Sequence, residues 1–358
     1  MNTFGEKFAF TSFGESHGRA IGGVLDGVPA GLHIDLDLIQ SELDRRAGRG
    51  EVKGERRRAP QNATSVFGDP AKAKGEEHPK TPRAFSGTPL RREAGVSPRA
   101  VREADEVEWL SGVMDGVTLG TPIAFIIRNS DARPEDYEWL RHSYRIGHAD
   151  RTYQEKYGIR DHRGGGRASA RETAARVVAG SIAKQMLAEK NIHIEAKLVQ
   201  VGEETNAERF DAYIAAIQQD GDSIGGIVEC RITGVPTGVG EPIFDKLQAH
   251  LAFAMMSINA CKGFEYGSGF EGVSKKGSEM YLSEDTRLIS GGIAGGISDG
   301  TPIVFRCVFK PTASNRKTFE AIGDGQEARG RHDACVAVRA VPVVEAMAAM
   351  VLADWHDF

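Results

Sequence analysis

Short apolar runs separated by glycines alternate along this chain with longer segments in which apolar residues recur at a helical period. The short runs predict strands, because buried strands have this length and these boundaries. The predicted strands cover residues 8–13, 21–25, 122–127, 225–232, 292–297 and 303–309.

Helices are predicted at three places. Residues 35–46 carry leucine and isoleucine near a helical period. Ser169 and Glu172 fit a capping box, which predicts a helix from residue 169 to about residue 189. Pro342 is a favoured first residue of a helix, so the last helix is predicted to begin there and to run through Leu352.

A long polar segment interrupts this pattern. Between about residues 48 and 98 the chain is rich in Gly, Pro, Lys, Arg and Glu and has little apolar periodicity. Because so polar a segment cannot bury a core, we predict a mobile surface insertion at about residues 50–96 rather than a separate folded module.

Composition limits the class of protein. The chain has 358 residues, 40% of them hydrophobic and 27% charged, which is ordinary for a soluble protein with a sizeable core. Length alone suggests about two domains. The formal net charge of −5 argues against nucleic-acid binding through an overall positive field. Arginines are dense locally, at Arg45, Arg46 and Arg49, which indicates a specific small anion.

The cysteines and the N-terminus indicate a compartment. The four cysteines form no Cys-x-x-Cys pair, which argues against a structural zinc site or a disulfide framework and favours a reducing environment. The first residues lack an apolar signal-peptide core, and no run is long enough to span a membrane. We therefore predict a cytoplasmic protein with no metal site and no membrane partner.

Two glycine-flanked segments are candidates for chemistry. Ser16 and His17 lie in a glycine-bounded turn, and His17 can exchange protons near neutral pH. Three glycines precede Arg167 and the predicted helix start at Ser169. Free backbone N–H groups there suit a phosphate, although an ordinary capped helix with solvated arginines is the alternative.

Three further segments are more ambiguous. Residues 145–150 place His148 beside Asp150, which can orient its ring. Residues 331–333, Arg-His-Asp, are either a functional group or a surface charge cluster. Residues 310–314, Lys-Pro-Thr-Ala-Ser, offer either a grip on a phosphate or a strand exit with a turn proline. The chain has no Rossmann fingerprint and no P-loop.

Taken together, these segments closely resemble the chorismate synthase family. The first matching signature is Gly-Glu-Ser-His-Gly at residues 14–18, followed by Val-Leu-Asp-Gly-Val-Pro at residues 24–29. The second comprises residues 145–150 and 164–179, and the third comprises residues 331–333, 339–342 and 345–346. Residues 310–312 match the family's flavin-contacting stretch. The resemblance covers nearly the whole chain outside residues 50–96.

The resemblance implies a fold and a reaction. The expected fold is α+β, a β-α-β sandwich with two antiparallel sheets in a core surrounded by helices, as one domain over residues 1–358. The expected reaction is the anti-1,4-elimination of phosphate from 5-enolpyruvylshikimate 3-phosphate to give chorismate, the last step of the shikimate pathway to aromatic amino acids. It needs reduced FMN, without net oxidation or reduction.

Residue roles are implied in the same way. His17 would protonate the reduced flavin, His148 would serve the departing phosphate, and Asp333 would assist proton removal at the flavin. The implied substrate-binding residues are Ser16, Arg45, Arg46, Ser169, Arg171 and Arg339. The implied cofactor-binding residues are Arg46, Arg167, Ala168, Ser169, Asn259, Ala260, Gly295, Lys310, Pro311, Thr312, Ala313, Ser314 and Arg331.

The chain departs from the family pattern at several positions. One arginine is missing from the run that follows Arg46, and Arg49 or Arg99 is a candidate to complete the anion or pyridine-nucleotide site. Ala168 and Ala313 stand where serine is common, but backbone contacts would survive those changes. The insertion at about residues 50–96 is the largest departure, and we hypothesise that it forms a flap over the active site or a contact between subunits.

Partners and alternatives follow from the same comparison. The resemblance implies a homotetramer and an external flavin reductase, with NADPH as an indirect reductant. A flavin-dependent oxidoreductase is one alternative, although the Rossmann fingerprint is absent. An anion- or RNA-binding protein built on the arginine-rich insertion is the other, and it leaves the dispersed histidines unexplained.

Overall fold

The computed structural model describes residues 2–50, 91–92, 104–285, 289–322 and 333–355. Arg99, Arg331 and nearly all of the predicted insertion at about residues 50–96 lie outside these ranges, so those expectations remain predictions. At the edges of the insertion, Arg49–Gly50 pairs with Arg91–Arg92 as a short antiparallel ladder. No helix in the described ranges is long and apolar enough to cross a membrane.

The first of two main sheets is antiparallel and has five strands. In spatial order these are Thr3–Phe4, Ala9–Gly14, Ala20–Asp26, Ile123–Arg128 and Val107–Ser111. Ile123, Phe125 and Ile127 are fully buried at every second position, as a strand with one face on the core requires. The predicted strands at 8–13, 21–25 and 122–127 fall within one residue of these bounds.

The second main sheet is also antiparallel. Its strands, in spatial order, are His193–Val201, Gly226–Thr233, Ile303–Phe309 and Cys261–Tyr266. The prediction of a strand at residues 292–297 is wrong, because Ile293–Ala294 and Ile297–Ser298 form a tight two-stranded hairpin instead. Two glycines with positive φ, Gly295 and Gly296, make the turn between them, where other residues are disfavoured.

Helices fill the space between the sheets. Thr173–Ala188 contacts strands of both sheets, and Ala337–Ala353 packs on it and on the second sheet. The remaining helices of four or more residues in the described ranges are Leu36–Arg46, Pro134–Arg141, Asp150–Tyr157, Phe210–Gln219, Leu247–Met256, Gly269–Ser274, Gly277–Tyr281 and Arg316–Ile322. The α+β class with two antiparallel sheets is confirmed, and its longest helices lie in the middle layer.

Two predicted helix starts are shifted. Ser169 Oγ accepts a hydrogen bond from the Arg171 amide at 3.3 Å, but it caps a 3-10 turn over Ala170–Glu172, and the α-helix begins only at Thr173. The last helix begins at Ala337 and contains Pro342 in its interior. A proline removes one backbone donor from a helix, and here the burial of nearly the whole helix in the core outweighs that local preference.

The two central helices approach unusually closely. A Cβ built on Gly180 would lie 2.3 Å from both Cα and Cβ of Ala346. Buried alanines lie elsewhere along both helices. Their small side chains let the two helix backbones come close together. This contact defines the middle layer of the sandwich.

A charged cluster ties the third long helix, Leu36–Arg46, to this pair. Glu345 accepts hydrogen bonds from Arg45 at 2.9 Å, from Lys184 Nζ at 2.7 Å and from the Ala196 amide at 2.8 Å. Glu42 accepts from the same Arg45 and Lys184 at 2.8 and 3.0 Å. Burial opposes the charge on Glu345, but Arg45 and Lys184 hold its pKa below the ordinary value.

Gly180→Ala should lower the free energy of unfolding by about 1–3 kcal/mol, because the helix pair must separate to admit a methyl group. Gly277→Ala is the matched control, since its Cβ would meet nothing nearer than 3.8 Å and it also lies in a helix. Chemical denaturation of both variants measures the effect. A Gly180→Ala protein as stable as the wild type would contradict the close contact.

Glu345→Gln should cost about 3 kcal/mol of stability at pH 7, because it leaves Arg45 and Lys184 short of a buried counter-charge. Since the pKa of Glu345 is lowered in the folded state, its contribution is present above its unfolded pKa of about 4.3 and is lost as the pH falls through the folded value. Wild type and variant should therefore converge in stability on acidification. A difference independent of pH, or one matched by the exposed control Glu155→Gln, would exclude this role.

Candidate active site

An open cavity of about 620 Å³ lies beside the start of the central helix. Its size is typical of small-molecule sites. Most of the predicted site residues line it: His17, His148, Arg167, Ala168, Ser169, Arg171, Asn259, Ala260, Lys310, Pro311, Thr312, Ala313, Ser314, Asp333 and Arg339. Residues separated by more than three hundred positions in the sequence therefore meet at one place.

The turn after strand Ala9–Gly14 brings His17 to the cavity. The side-chain amide of Asn129 donates to the carbonyls of Glu15 and Gly18 at 3.0 and 2.9 Å and so closes the turn. His17 is only 5% exposed, and its Nδ1 lies 3.1 Å from Ser16 Oγ. The edge of Tyr137 packs on the ring with centroids 4.7 Å apart.

The glycine run before Arg167 packs directly on both histidines. A Cβ on Gly164 would lie 2.0 Å from Nδ1 and Cε1 of His17. A Cβ on Gly165 would lie 2.8 Å from Cε1 of His148. Both glycines also have positive φ, which other residues rarely adopt. The absence of a side chain at these two glycines therefore lets the two imidazole rings lie close to the backbone.

His148 lies just before the helix Asp150–Tyr157. Its Nδ1 is 2.8 Å from Asp150 Oδ1, and Asp150 also accepts two side-chain hydrogen bonds of 2.8 Å from Arg145. Burial opposes the charge on Asp150, yet the hydrogen bonds from Arg145 and His148 hold its pKa far below the ordinary value. Lys310 Nζ donates to the carbonyl of Gly147 at 2.7 Å and fixes the same loop from the opposite wall.

Asp333 is anchored on the far side of the cavity. Its Oδ2 accepts from Arg339 at 2.7 Å, and its backbone carbonyl accepts from Thr312 Oγ1 at 2.7 Å. Arg339 Nε in turn donates to the carbonyl of Arg46 at 2.9 Å. The carboxylate of Asp333 thus has a fixed orientation and a cationic neighbour.

Two predicted anion-binding arginines serve a buried network. Arg46 is 1% exposed and donates to Thr173 Oγ1 and to the carbonyl of Ala170 at 3.0 and 2.8 Å. Arg171 and Arg46 converge on Asp105, which no sequence pattern singled out. Burial opposes ionisation of Asp105, but the charges of Arg171 and then Arg46 keep its pKa below the ordinary value.

Four predicted residues do not reach the cavity wall. Ser16 is buried behind His17, Arg45 belongs to the cluster around Glu345, and Arg46 belongs to the network around Asp105. Gly295 lies in the hairpin turn, outside the cavity lining. Direct contact of these four residues with a ligand remains a prediction, and their positions outside the cavity lining do not support it.

Other residues line the cavity without having been predicted. Arg176, Lys262 and Tyr137 contribute to its wall, and Arg145 holds the loop of His148. Burial and the charge of Lys262 lower the pKa of Lys310, as two ammonium groups close together require. Lys262 lies in a strand and Arg176 in a helix, so their local pattern is that of solvated surface residues.

The balance of charge in the cavity is positive. Arg167, Arg176, Lys262, Lys310 and Arg339 line it, against the carboxylates of Glu172 and Asp333. Arg167 also donates to the carbonyl of Gly14 at 3.3 Å, which positions it at the end of the first sheet. Such a wall attracts anions, and the imidazole rings of two histidines lie beside it.

Known proteins of similar sequence and structure identify the family. A family model described as chorismate synthase matches residues 8–68 and 88–356. The match includes the outer parts of the predicted insertion and omits only residues 69–87 of it. Chorismate synthases of Christiangramia forsetii and Flavobacterium psychrophilum are 45% and 43% identical to the chain; each alignment covers 99% of it and 97% and 96% of those proteins.

Structural similarity agrees with this match. A crystal structure of a chorismate synthase has a TM-score of 0.67 and 29% identity, and the alignment covers 98% of this chain and 92% of that one. The chain is therefore similar to chorismate synthases both in sequence and in its antiparallel α+β architecture. The chain belongs to the chorismate synthase family of carbon–oxygen lyases.

Proposed function

We propose that the cavity binds 5-enolpyruvylshikimate 3-phosphate together with reduced FMN and eliminates phosphate to give chorismate. The observation that carries the proposal is the convergence of His17, His148 and Asp333 with an excess of cations on one cavity. An elimination that expels phosphate needs a cationic wall and a proton donor for the leaving group. The cavity offers both.

The cations divide between two walls. Arg167 and Arg176 belong to the side formed by the central helix and the loop before it, and Lys262 and Lys310 belong to the side of the second sheet. Arg339, which is paired with Asp333, contributes charge at the end of the cavity.

The residues present fit a flavin. Asn259 Oδ1 is buried at the cavity and has no hydrogen-bond partner among the described residues, as expected for an acceptor that awaits an N–H donor. Ala168, Ala260 and Ala313 offer small side chains beside it, which leaves room for a flat ring. When bound, reduced FMN would supply the electron-rich ring on which the elimination depends.

The chain's own residues hold and move protons. His148 presents its ring to the cavity beside Arg145, in the loop that Lys310 holds through the carbonyl of Gly147, where it can protonate a departing phosphate oxygen. His17 holds a proton beside the position of the cofactor, with Ser16 as its hydrogen-bonding neighbour. Asp333 provides a fixed carboxylate for proton removal, oriented by Arg339.

The wider setting follows from the same family. We infer a cytoplasmic homotetramer that receives reduced flavin from an external reductase, with NADPH as the ultimate source of electrons. Nucleic acid and membranes are not expected partners.

His17→Ala and His148→Ala should each lower the rate of chorismate formation about 10²- to 10⁴-fold, because each removes a proton-transfer group. The assay is anaerobic, with reduced FMN and 5-enolpyruvylshikimate 3-phosphate, and measures phosphate and chorismate. His193→Ala, an exposed residue at the start of the strand His193–Val201, is the control and should keep the wild-type rate. Phosphate release at the wild-type rate in either active-site variant would remove that histidine from the mechanism.

The flavin spectrum should return to that of reduced FMN after each turnover, because the elimination has no net redox change. Stopped-flow absorbance under anaerobic conditions follows this directly. Accumulation of oxidised FMN in proportion to product would instead identify a flavin-dependent oxidoreductase.

A further inference from the structure

The carboxylate of Asp150 lies at the centre of a compact buried group. Its Oδ1 is 2.8 Å from both Nδ1 of His148 and a terminal nitrogen of Arg145, and its Oδ2 accepts from Nε and from the backbone amide of Arg145 at 2.8 and 3.1 Å. The side chains of Asp150 and Arg145 are only 2% and 7% exposed. His148 and Arg145 line the cavity, whereas Asp150 lies behind them outside its lining.

This geometry decides which nitrogen of His148 carries a proton. Asp150 is ionised, so its oxygens can only accept hydrogen bonds, and the ring nitrogen 2.8 Å away must be the donor. A terminal nitrogen of Arg145 lies 3.1 Å from the same Nδ1. A guanidinium cannot accept a hydrogen bond, so this nitrogen is not the partner of the Nδ1 proton. Arg145 and the Nδ1–H of His148 are therefore both donors to the carboxylate of Asp150. Nδ1 therefore bears hydrogen in both the neutral and the charged ring.

The ring has little freedom to leave this arrangement. A Cβ on Gly165 would lie 2.8 Å from Cε1 and 3.1 Å from Nε2 of His148, so only a residue without a side chain leaves this edge of the ring uncrowded. Arg160 lies 3.8 Å from Asp150 on the other side, and Lys310 fixes the carbonyl of Gly147. Asp150 is also the first residue of the helix Asp150–Tyr157, where a negative charge is favoured by the helix dipole.

We propose that Asp150, clamped by Arg145, is a positioning residue that fixes the Nδ1–H form of His148 and leaves Nε2 as the nitrogen that exchanges a proton with the departing phosphate. The inference rests on the proposed function. As the C–O bond breaks, its electron pair stays on the phosphate oxygen, which takes the proton from Nε2. The ring is left neutral with hydrogen on Nδ1, and Asp150 stays a carboxylate throughout.

The decisive variant is Asp150→Asn, which keeps the shape but removes the obligatory acceptor, since an amide can also donate to Nδ1. In full-length protein with ¹⁵N-labelled histidine, and with the signal of His148 assigned by its loss in His148→Ala, the neutral ring should change from the Nδ1–H to the Nε2–H form. The value of kcat should fall by about 10²- to 10⁴-fold, because an Asp→Asn change beside a catalytic histidine leaves the ring in the wrong tautomer. KM should change less than kcat, because Asp150 does not line the main cavity and acts on it only through His148 and Arg145.

Two further variants separate positioning from general damage. Asp150→Glu keeps an acceptor carboxylate and should restore the Nδ1–H form and part of kcat. Glu155→Gln removes an exposed charge from the same helix and should alter neither. Thermal unfolding of each variant records its stability.

The outcomes are distinguishable. A wild-type His148 that is Nε2–H when neutral overturns the inference without any variant, as does an Asp150→Asn protein with unchanged ring form and kcat. A wild-type chain that makes no chorismate under the anaerobic assay overturns the proposed function instead. A wild type that is active and a His148→Ala variant that is equally active would overturn the role of His148 and, with it, the role of Asp150.

Discussion

The buried carboxylate of Asp105 joins parts of the chain on which the whole site depends. It pairs with Arg171 at the start of the central helix and with Arg46 at the end of an earlier helix. Arg171 continues the connection, because its Nε donates at 2.9 Å to Asn129, whose amide group closes the turn that carries His17. One anion in the interior therefore connects the helix that ends at Arg46 with the turn that carries His17.

Charge in this protein is divided into two kinds. The groups around Asp105 and Glu345 neutralise each other inside the fold and hold helices in place. The cations at the cavity face fewer carboxylates and retain a net positive field for a ligand. The net charge of −5 does not indicate a positive cavity, because it adds the charges of the whole chain and carries no information on where each charge lies.

The sequence predicted the elements whose cause is local. The strand Ile303–Phe309 has the bounds predicted from its apolar run, and the helix Leu36–Arg46 begins one residue after the start predicted from its apolar period. The last helix started earlier than expected, because burial in the core outweighed the preference of Pro342 for a first turn.

Side-chain partners were far less accessible to prediction. Arg45 carried an anion-binding role by motif, yet its partner Glu345 lies 300 residues further along the chain. No periodicity or spacing links such positions, and only the packing of two helices brings them together. The sequence did not single out Lys262, because a lysine in a strand has the pattern of an ordinary surface residue. Only the folded structure shows that it lines the cavity.

The glycine run at residues 164–166 has a consequence for how the site keeps its dimensions. Gly164 and Gly165 are successive residues, and each lies against one of the rings of His17 and His148, so the backbone sets the spacing between the two imidazole rings. Their separation is set when the chain folds and does not wait for a ligand to arrive. Changes in side-chain packing elsewhere can lower the free energy of unfolding and still leave that spacing intact. The distance between two successive residues is fixed by covalent bonds, whereas side-chain packing can adjust.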